Sequence, residues 1–232
     1  MAEISISTPH HLLKGYLATP KGAGPWPGVI VLHDIFGLTD VTRGHADWLA
    51  SQGYLAVALD LFSWGGRIRC IRALMADLSA RKGASFDDVD ATRQWLEGRQ
   101  DCTGKTGVIG FCATGSFAIL LAAGYGLSAV AANYGQAPND IDVILEGACP
   151  IVASYGGRDR MLKGAAARLN SALELRHIEH DVKEYPDAGH SFLDEYKGLI
   201  GALGVVIGSS YKEKDAADAR GRISAFFAHH LT

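Results

Sequence analysis

Short apolar runs that alternate with helix-patterned segments constrain the fold of this 232-residue chain more than any other feature. Most of the runs are continuously apolar, as strands are when both faces of their sheet are buried. They cover residues 27–34, 54–62, 106–112, 127–135, 149–157 and 180–186. Patterns typical of helices follow or separate them, over residues 45–53, 86–99, 113–126, 162–175 and 216–230. The alternation predicts an α/β fold, with a mostly parallel central sheet and helices on both faces.

The N-terminal segment departs from this alternation. Residues 4–8 and 13–20 are two short strand-like runs joined near residues 9–11, and they predict an antiparallel hairpin. The chain shows no internal repeat, no low-complexity tract and no change of composition that would indicate a linker. We therefore expect a single domain over residues 1–232.

Composition narrows the possible function classes. Hydrophobic residues make up 48% and charged residues 20% of the chain, and the net charge is −3. These values are typical of a folded protein and give no basic surplus for nucleic acid or anionic lipid. No apolar run is long enough to cross a membrane, and the N-terminus lacks a signal-peptide pattern. The four cysteines have no C-x-x-C spacing, so we expect reduced thiols in a cytoplasmic protein.

The residues that follow each apolar run are the candidates for chemistry, because ligands bind beyond the carboxyl ends of parallel strands. Residues 110–115 read Gly-Phe-Cys-Ala-Thr-Gly and join a strand to a helix, like the nucleophile elbow G-x-S-x-G with Cys112 as the nucleophile. Thr114 stands in the place of the last motif glycine. The start of a helix favours a thiolate. Two alternatives stay open here: Cys112 is a buried structural cysteine, or Ser116, one turn into the helix, is the nucleophile.

Two further strand ends carry an acid and a base. Asp159 and His190 each follow an apolar run, and the order nucleophile, acid, histidine is that of the α/β-hydrolase fold. In such a triad the acid accepts the imidazole N–H and orients the ring. Alone, Asp159 reads as a turn former and His190 as one of nine histidines, of which His229 and His230 fall on a surface that we expect to be exposed. Three residues in the right order at three strand ends favour a triad with Cys112.

The first central strand ends in His33, Asp34, Ile35 and Phe36. The α/β-hydrolase fold places its second oxyanion donor there, so we expect the backbone N–H groups of Ile35 and Ala113 to form the oxyanion hole. His33 is interpreted as a structural hydrogen-bonding residue. A metal pair of His33 and Asp34 would lack further ligands at suitable spacing, and we expect no metal and no cofactor.

These motifs resemble the dienelactone hydrolase family. The resemblance rests on VIVLHDIFG, LASQGYLAVALDLF, GVIGFCATG, GGRD and AGHSF, within residues 27–192. It implies an α/β-hydrolase fold and a cytoplasmic, cofactor-free hydrolase of enol-lactones or other activated esters, as a monomer or homodimer. On this sequence it implies Cys112 as nucleophile, His190 as base and Asp159 as acid. Asp34 falls where members often carry a glutamate that contacts the resting cysteine and helps to deprotonate it.

The chain departs from the family at the positions that bind substrate. Members hold a substrate carboxylate with two arginines, but here Arg67 is the nearest arginine to the first position and Asp194 occupies the second. We therefore predict poor turnover of a dicarboxylate dienelactone. Residues 63–85 are interpreted as a mobile lid or cap. The mouth of the site is expected to be apolar or aromatic, with substrate contacts from Phe36, Trp64, Tyr134, Ser191 and Phe192.

The predicted function is that of a cysteine-dependent carboxylic ester hydrolase, of the carboxymethylenebutenolidase type, that forms a thioester acyl-enzyme. Two alternatives from other classes stay open. One is a degenerate hydrolase fold that binds a small molecule. The other is a thiol-redox protein that uses Cys112, with Cys102 or Cys149 as the candidate resolving cysteine.

Overall fold

The computed structural model describes residues 1–198 and 211–232 of the chain. Within these residues the strands are β1 Ala2–Ser7, β2 Leu12–Ala18, β3 Trp26–Leu32, β4 Leu55–Asp60, β5 Cys102–Phe111, β6 Ala129–Asn133, β7 Ile151–Gly156 and β8 His180–Tyr185. The helices are α1 Asp40–Ser51, α2 Arg67–Ala80, α3 Ala84–Glu97, α4 Ala113–Leu121, α5 Ile141–Ile144, α6 Ala165–Leu175 and α7 Glu213–Leu231, with a 3₁₀ turn at Arg160–Leu162.

The strands form one sheet in the order β1-β2-β4-β3-β5-β6-β7-β8. β1 pairs antiparallel with β2, and β2 with β4. The pairs β3–β4, β6–β7 and β7–β8 are parallel. The predicted α/β class with a mostly parallel sheet is confirmed, and so is the N-terminal hairpin.

The residues group into two compact units, Met1–Ile109 with Leu231–Thr232, and Gly110–His230. The expectation of a single domain over residues 1–232 stays a prediction.

In the first unit, β3 and β4 form the centre. Residues 55–59 and 29–32 are fully buried, which explains why both runs are apolar without alternation. α1 packs on β4 and buries Ala46 and Leu49. It begins at Asp40, five residues before the predicted start, because its first turns are polar and carry no periodic apolar signal.

The segment at residues 63–85, predicted to be a mobile lid, contains a helix that the sequence pattern did not indicate. α2 covers Arg67–Ala80, and α3 begins directly after it at Ala84. Cys70 and Leu74 are the buried residues of α2, so its apolar stripe is too narrow to give a helical period. Whether α2 acts as a lid stays a prediction.

In the second unit, β6, β7 and β8 are packed by α4 and α6. α4 is buried from Thr114 to Ile119, which accounts for its uniformly apolar sequence. Arg222 fastens α7 to β8 and β7: its guanidinium lies 2.7 Å from the Asp181 carboxylate and donates to the carbonyl of Ala153 at 3.3 Å.

The helices of residues 1–198 and 211–232 include none that combines the length and the apolar character needed to cross a membrane.

Candidate active site

Cys112 occupies the sharp turn between β5 and α4. Its backbone lies at φ 60° and ψ −122°, a conformation that costs a non-glycine residue about 1–3 kcal/mol. The Cys112 N–H donates to the carbonyl of Asn133 at 3.1 Å, and the Asn133 amide donates to the carbonyl of Gly110 at 3.2 Å. β6 therefore holds both sides of the turn. The Cys112 thiol makes no capping hydrogen bond to α4 and is half-buried.

The small residues around Cys112 are required by close backbone approaches. A Cβ on Gly110 would collide with the carbonyl oxygen of Thr114, and one on Gly115 would collide with that of Asn133. Thr114, which replaces the last glycine of the usual motif, is fully buried. Its hydroxyl accepts from the N–H of Phe111 and donates to the carbonyl of Phe111, both at 3.0 Å. The departure from the motif thus adds two hydrogen bonds that fix the end of β5.

Ser116, the alternative nucleophile, has a different role. Its hydroxyl oxygen accepts from the backbone N–H of Gln136 at 2.7 Å, and the residue is 9% exposed. The side chain therefore holds the loop after β6, and Cys112 is the better candidate.

Asp159 follows β7 and opens the 3₁₀ turn. One carboxylate oxygen accepts from the N–H of Met161 at 2.9 Å, and the side chain is almost completely buried. The loop around it is joined to the loop after β8, because Arg158 N–H donates to the carbonyl of Ala188 at 2.9 Å. This connection sets the distance between Asp159 and the residues that follow Ala188.

His190 lies in the loop after β8 and contacts Asp159. Its Nδ1 is 2.5 Å from Asp159 Oδ2, so the carboxylate accepts the Nδ1–H and leaves Nε2 as the outward nitrogen. Nε2 is buried, and among residues 1–198 and 211–232 no hydrogen-bond partner for it is present. This orientation is typical of a catalytic histidine, whose Nε2 exchanges a proton with a reacting group.

The electrostatics of His190 depend on both neighbours. Burial alone would lower the pKa of His190. The hydrogen bond to Asp159 and the interactions with the Cys112 side chain outweigh this effect and raise the pKa to about 10. Since Nε2 makes no hydrogen bond of good geometry, we assign the effect of Cys112 to the proximity of its negative charge. A negative charge on Cys112 favours the protonated form of the His190 ring.

Tyr134, Ser191 and Phe192, predicted to contact substrate, lie close to His190. The Tyr134 ring is 5.2 Å from the His190 ring and 5.9 Å from that of Phe192. Tyr134, Ser191 and Phe192 are all buried. Contact between these side chains and a substrate stays a prediction.

Asp194 was expected to mark a missing arginine, but its actual partner could not be read from the sequence. The Tyr134 hydroxyl donates to the Asp194 carboxylate at 2.5 Å, and the Asp194 residue is 5% exposed. Tyr134 and Asp194 lie 60 positions apart in sequence, and no local pattern connects them.

Ala113 is the first residue of α4, and the remaining predicted site residues belong to the first unit. The Asp34 carboxylate accepts from the N–H of Phe36 at 2.7 Å, which closes a tight turn after β3. Arg67 donates to the carbonyl of Ile35 at 3.1 Å, and its guanidinium lies 5.6 Å from the centre of the Phe36 ring. Trp64 is half-buried between His11, which stacks on it, and Arg69. The roles predicted for Asp34, Ile35, Phe36 and Trp64 stay predictions.

His33 behaves as the sequence interpretation expects. Its Nδ1 lies 2.6 Å from the carbonyl oxygen of Asp34, and its Nε2 accepts from the N–H of Leu61 at 3.1 Å. Burial lowers the pKa of His33, so the ring is neutral and bridges the ends of two strands.

Cys149 is unsuitable as a resolving cysteine for Cys112. Its N–H donates to the carbonyl of Ala122 at 2.9 Å, at the C-terminal end of α4, whereas Cys112 precedes the first residue of the same helix. A helix of this length separates its ends by more than about 10 Å, and a disulfide requires Cα atoms within about 7 Å. Burial raises the pKa of the Cys149 thiol to about 12. Both observations weigh against a redox pair in the second unit.

Comparison with known proteins agrees with the fold and with the motifs at the strand ends. The sequence model of the "Dienelactone hydrolase family" matches residues 13–231. A protein of Yersinia pestis named "Putative carboxymethylenebutenolidase" is 28% identical over 98% of this chain and 88% of its own length. A protein of the same name from Escherichia coli strain K12 is 30% identical over 83% of this chain and 78% of its own length.

A solved structure gives the same result. The crystal structure of a "Putative Dienelactone Hydrolase" from Klebsiella pneumoniae superposes with a TM-score of 0.81 at 27% sequence identity, covering 98% of this chain and 97% of that one. The chain is a hydrolase with the α/β-hydrolase fold, and it belongs to the dienelactone hydrolase family.

Proposed function

We propose that this protein hydrolyses a lactone or activated ester through a thioester on Cys112, with His190 and Asp159 completing a triad. The observation that carries the proposal is the 2.5 Å contact between His190 Nδ1 and Asp159, which leaves the Nε2 of His190 for the half-buried thiol of Cys112. The interactions that raise the pKa of His190 to about 10 support a thiolate–imidazolium pair as the reactive state.

In the first half-reaction the Cys112 thiolate attacks the carbonyl carbon and forms the C–S bond. The carbonyl oxygen becomes an oxyanion, which accepts a hydrogen bond from the N–H of Ala113. This N–H begins α4, where helix geometry leaves donors without an intrahelical partner. The C–O bond to the leaving group then breaks. The leaving alkoxide or enolate takes the proton from Nε2 of His190.

In the second half-reaction neutral His190 removes a proton from water, and the resulting hydroxide attacks the thioester carbonyl. Collapse of this intermediate breaks the C–S bond, releases the carboxylic acid and restores the Cys112 thiolate. Throughout both steps Asp159 accepts the Nδ1–H and stabilises the imidazolium.

The substrate class is proposed from two sources. The relatives named "Putative carboxymethylenebutenolidase" carry the name of a lactone-opening activity, which supports an enol-lactone or a comparably activated ester. The environment of Asp194 supports poor turnover of dicarboxylates. Its carboxylate is buried and hydrogen-bonded to Tyr134, so this position supplies no cation for a substrate anion.

Residues of the first unit enter the proposal from the sequence alone. Ile35 is proposed as the second oxyanion donor, Asp34 as the carboxylate that assists thiol deprotonation, and Phe36 and Trp64 as substrate contacts.

The decisive test is direct detection of the acyl-enzyme. The protein is mixed with p-nitrophenyl acetate and quenched in acid, and intact-mass spectrometry with peptide mapping is expected to show one acetyl group on Cys112. Cys112→Ala should lose both the adduct and turnover while keeping the circular dichroism spectrum of the wild type. Turnover retained by Cys112→Ala, or an acetyl group on Ser116 instead, would overturn the proposal. A folded, triad-intact protein that forms no adduct with any activated ester would indicate a binding protein instead.

A further inference from the structure

Two histidines and a glutamate converge at the far end of the second unit from His190. His229 and His230 are consecutive residues in the last turn of α7, and Glu179 immediately precedes β8. Glu179 Oε1 lies 3.6 Å from His229 Nε2 and 3.4 Å from His230 Nε2. One ligand atom from each of the three residues lies within 4.8 Å of the other two.

These separations are too long for good hydrogen bonds, which join nitrogen and oxygen at about 2.7–3.2 Å. They match the spacing of ligand atoms around a tetrahedral ion. Bonds of about 2.0–2.1 Å to nitrogen and oxygen place neighbouring ligand atoms roughly 3.4 Å apart. The two distances to Glu179, and the grouping of all three ligand atoms within 4.8 Å, are compatible with an ion between them.

His230 provides an independent sign of an absent partner. Its side chain is 10% exposed, contrary to the expectation of an exposed residue, and its Nε2 is buried with no hydrogen-bond partner among residues 1–198 and 211–232. A buried donor or acceptor without a partner costs about 1–3 kcal/mol.

The backbone around the three residues is held in place. The carbonyl of Glu179 accepts from the N–H of Ile151 at 3.1 Å. Two residues along β8, the Asp181 carboxylate and carbonyl both contact Arg222, which lies two helical turns before His229 on α7. The ring of Phe226 packs on that of His230 with centroids 4.4 Å apart. The start of β8 and the end of α7 are thus fixed relative to one another before any ion binds.

We propose that Glu179, His229 and His230 bind one divalent transition-metal ion of the zinc class. Two imidazoles and one carboxylate suit Zn²⁺, and three protein ligands leave a fourth position for water. β8 runs for six residues between this site and the loop that carries His190, a distance of roughly 20 Å. The metal therefore takes no part in acyl transfer and instead ties the C-terminal end of α7 to β8.

The site is tested by adding zinc to protein from which a chelator has removed all metal. Calorimetry measures the binding, and thermal unfolding measures the stabilisation. The wild type is expected to bind one equivalent and to unfold at a higher temperature with zinc. His229→Ala and Glu179→Gln should each weaken binding at least tenfold and remove the thermal shift. Both side chains are more than half exposed, so neither change disturbs the core. Co²⁺ should give the visible absorption of a four-coordinate site in the wild type and in neither of these two variants.

Cys112 and His190 are a competing source of zinc ligands, and Cys112→Ala separates the two cases. We expect this variant to keep the equivalent of zinc and the thermal shift. Binding that is lost in Cys112→Ala and retained in His229→Ala would overturn the proposal, as would a wild type that binds no zinc. When both proteins are free of metal, His229→Ala should hydrolyse esters at the same rate as the wild type.

Discussion

The turn after β5 and the segment after β4 both follow buried strands, yet they are held in different ways. Cys112 sits in a turn where backbone approaches admit only glycine at two positions and where Asn133 and Thr114 fix the chain by hydrogen bonds. The segment after β4 contains α2, which buries Cys70 and Leu74 and leaves Ile68 72% exposed. The comparison indicates that the turn at Cys112 is fixed by close packing, whereas most of the surface of α2 is exposed or half-buried.

The largest effect is expected at the proposed catalytic residues of the second unit. Asp159→Asn keeps the size of the side chain but no longer stabilises the imidazolium or fixes the tautomer of His190, so kcat/KM for an activated ester should fall by roughly 10²–10⁴-fold. Asp187→Asn is the matched control, because Asp187 is exposed and forms an ion pair with the exposed Arg158. Steady-state kinetics should show less than a twofold change in the control. Similar losses in both variants would contradict the role of Asp159.

The second prediction concerns backbone crowding in the two segments. Gly115→Ala places a Cβ against the carbonyl of Asn133, so we expect a loss of about 1–3 kcal/mol in the free energy of unfolding, together with lost activity. In Gly65→Ala, just before α2, the nearest neighbours of the new Cβ are the flexible side chain of Arg69 at 3.3 Å and the sulfur of Cys70 at 3.5 Å. Urea unfolding should find this variant within about 0.5 kcal/mol of the wild type. Equal destabilisation by the two changes would show that the two segments do not differ in backbone crowding.

Two buried histidines at strand ends give a third test, because their pKa values move in opposite directions. The pKa of His190 is raised to about 10, whereas burial lowers that of His33. A pKa raised on folding stabilises the protein fully below the ordinary value of about 6.5, and this stabilisation is lost as the pH rises towards 10. NMR titration of the imidazole resonances should show His190 protonated at neutral pH and His33 neutral. Cys112→Ala should lower the pKa of His190, and an unchanged value in that variant would argue against the thiolate–imidazolium pair.

The smallest effect is expected on α2. Arg67→Ala removes a cation beside Phe36, and we expect KM to rise about two- to fivefold for an ester that carries a carboxylate, with no change for a neutral ester. Arg72→Ala, on the same helix, is the control. Both variants should unfold within about 0.5 kcal/mol of the wild type. A loss of kcat for neutral esters in Arg67→Ala would place α2 in the chemistry itself.

The sequence was most informative where strands are buried on both faces. The continuous apolar runs located β3 to β7 and the residues that follow them, and the structure brings Asp159 and His190 into contact. It was least informative for α2, whose two buried side chains leave no period to detect. The Tyr134–Asp194 pair and the Glu179–His229–His230 cluster join residues that are far apart in sequence, so only the folded chain reveals them.

The four free thiols of the chain have a practical consequence for chemical labelling. Cys70 and Cys102 are buried, and burial raises the pKa of Cys149 to about 12, so these three react slowly with electrophiles at neutral pH. Cys112 is half-buried, and its side chain interacts with that of His190. A chloroacetamide or vinyl sulfone fluorophore should therefore modify the native protein at one position. The unmutated chain could then be counted, imaged or immobilised through its proposed active site.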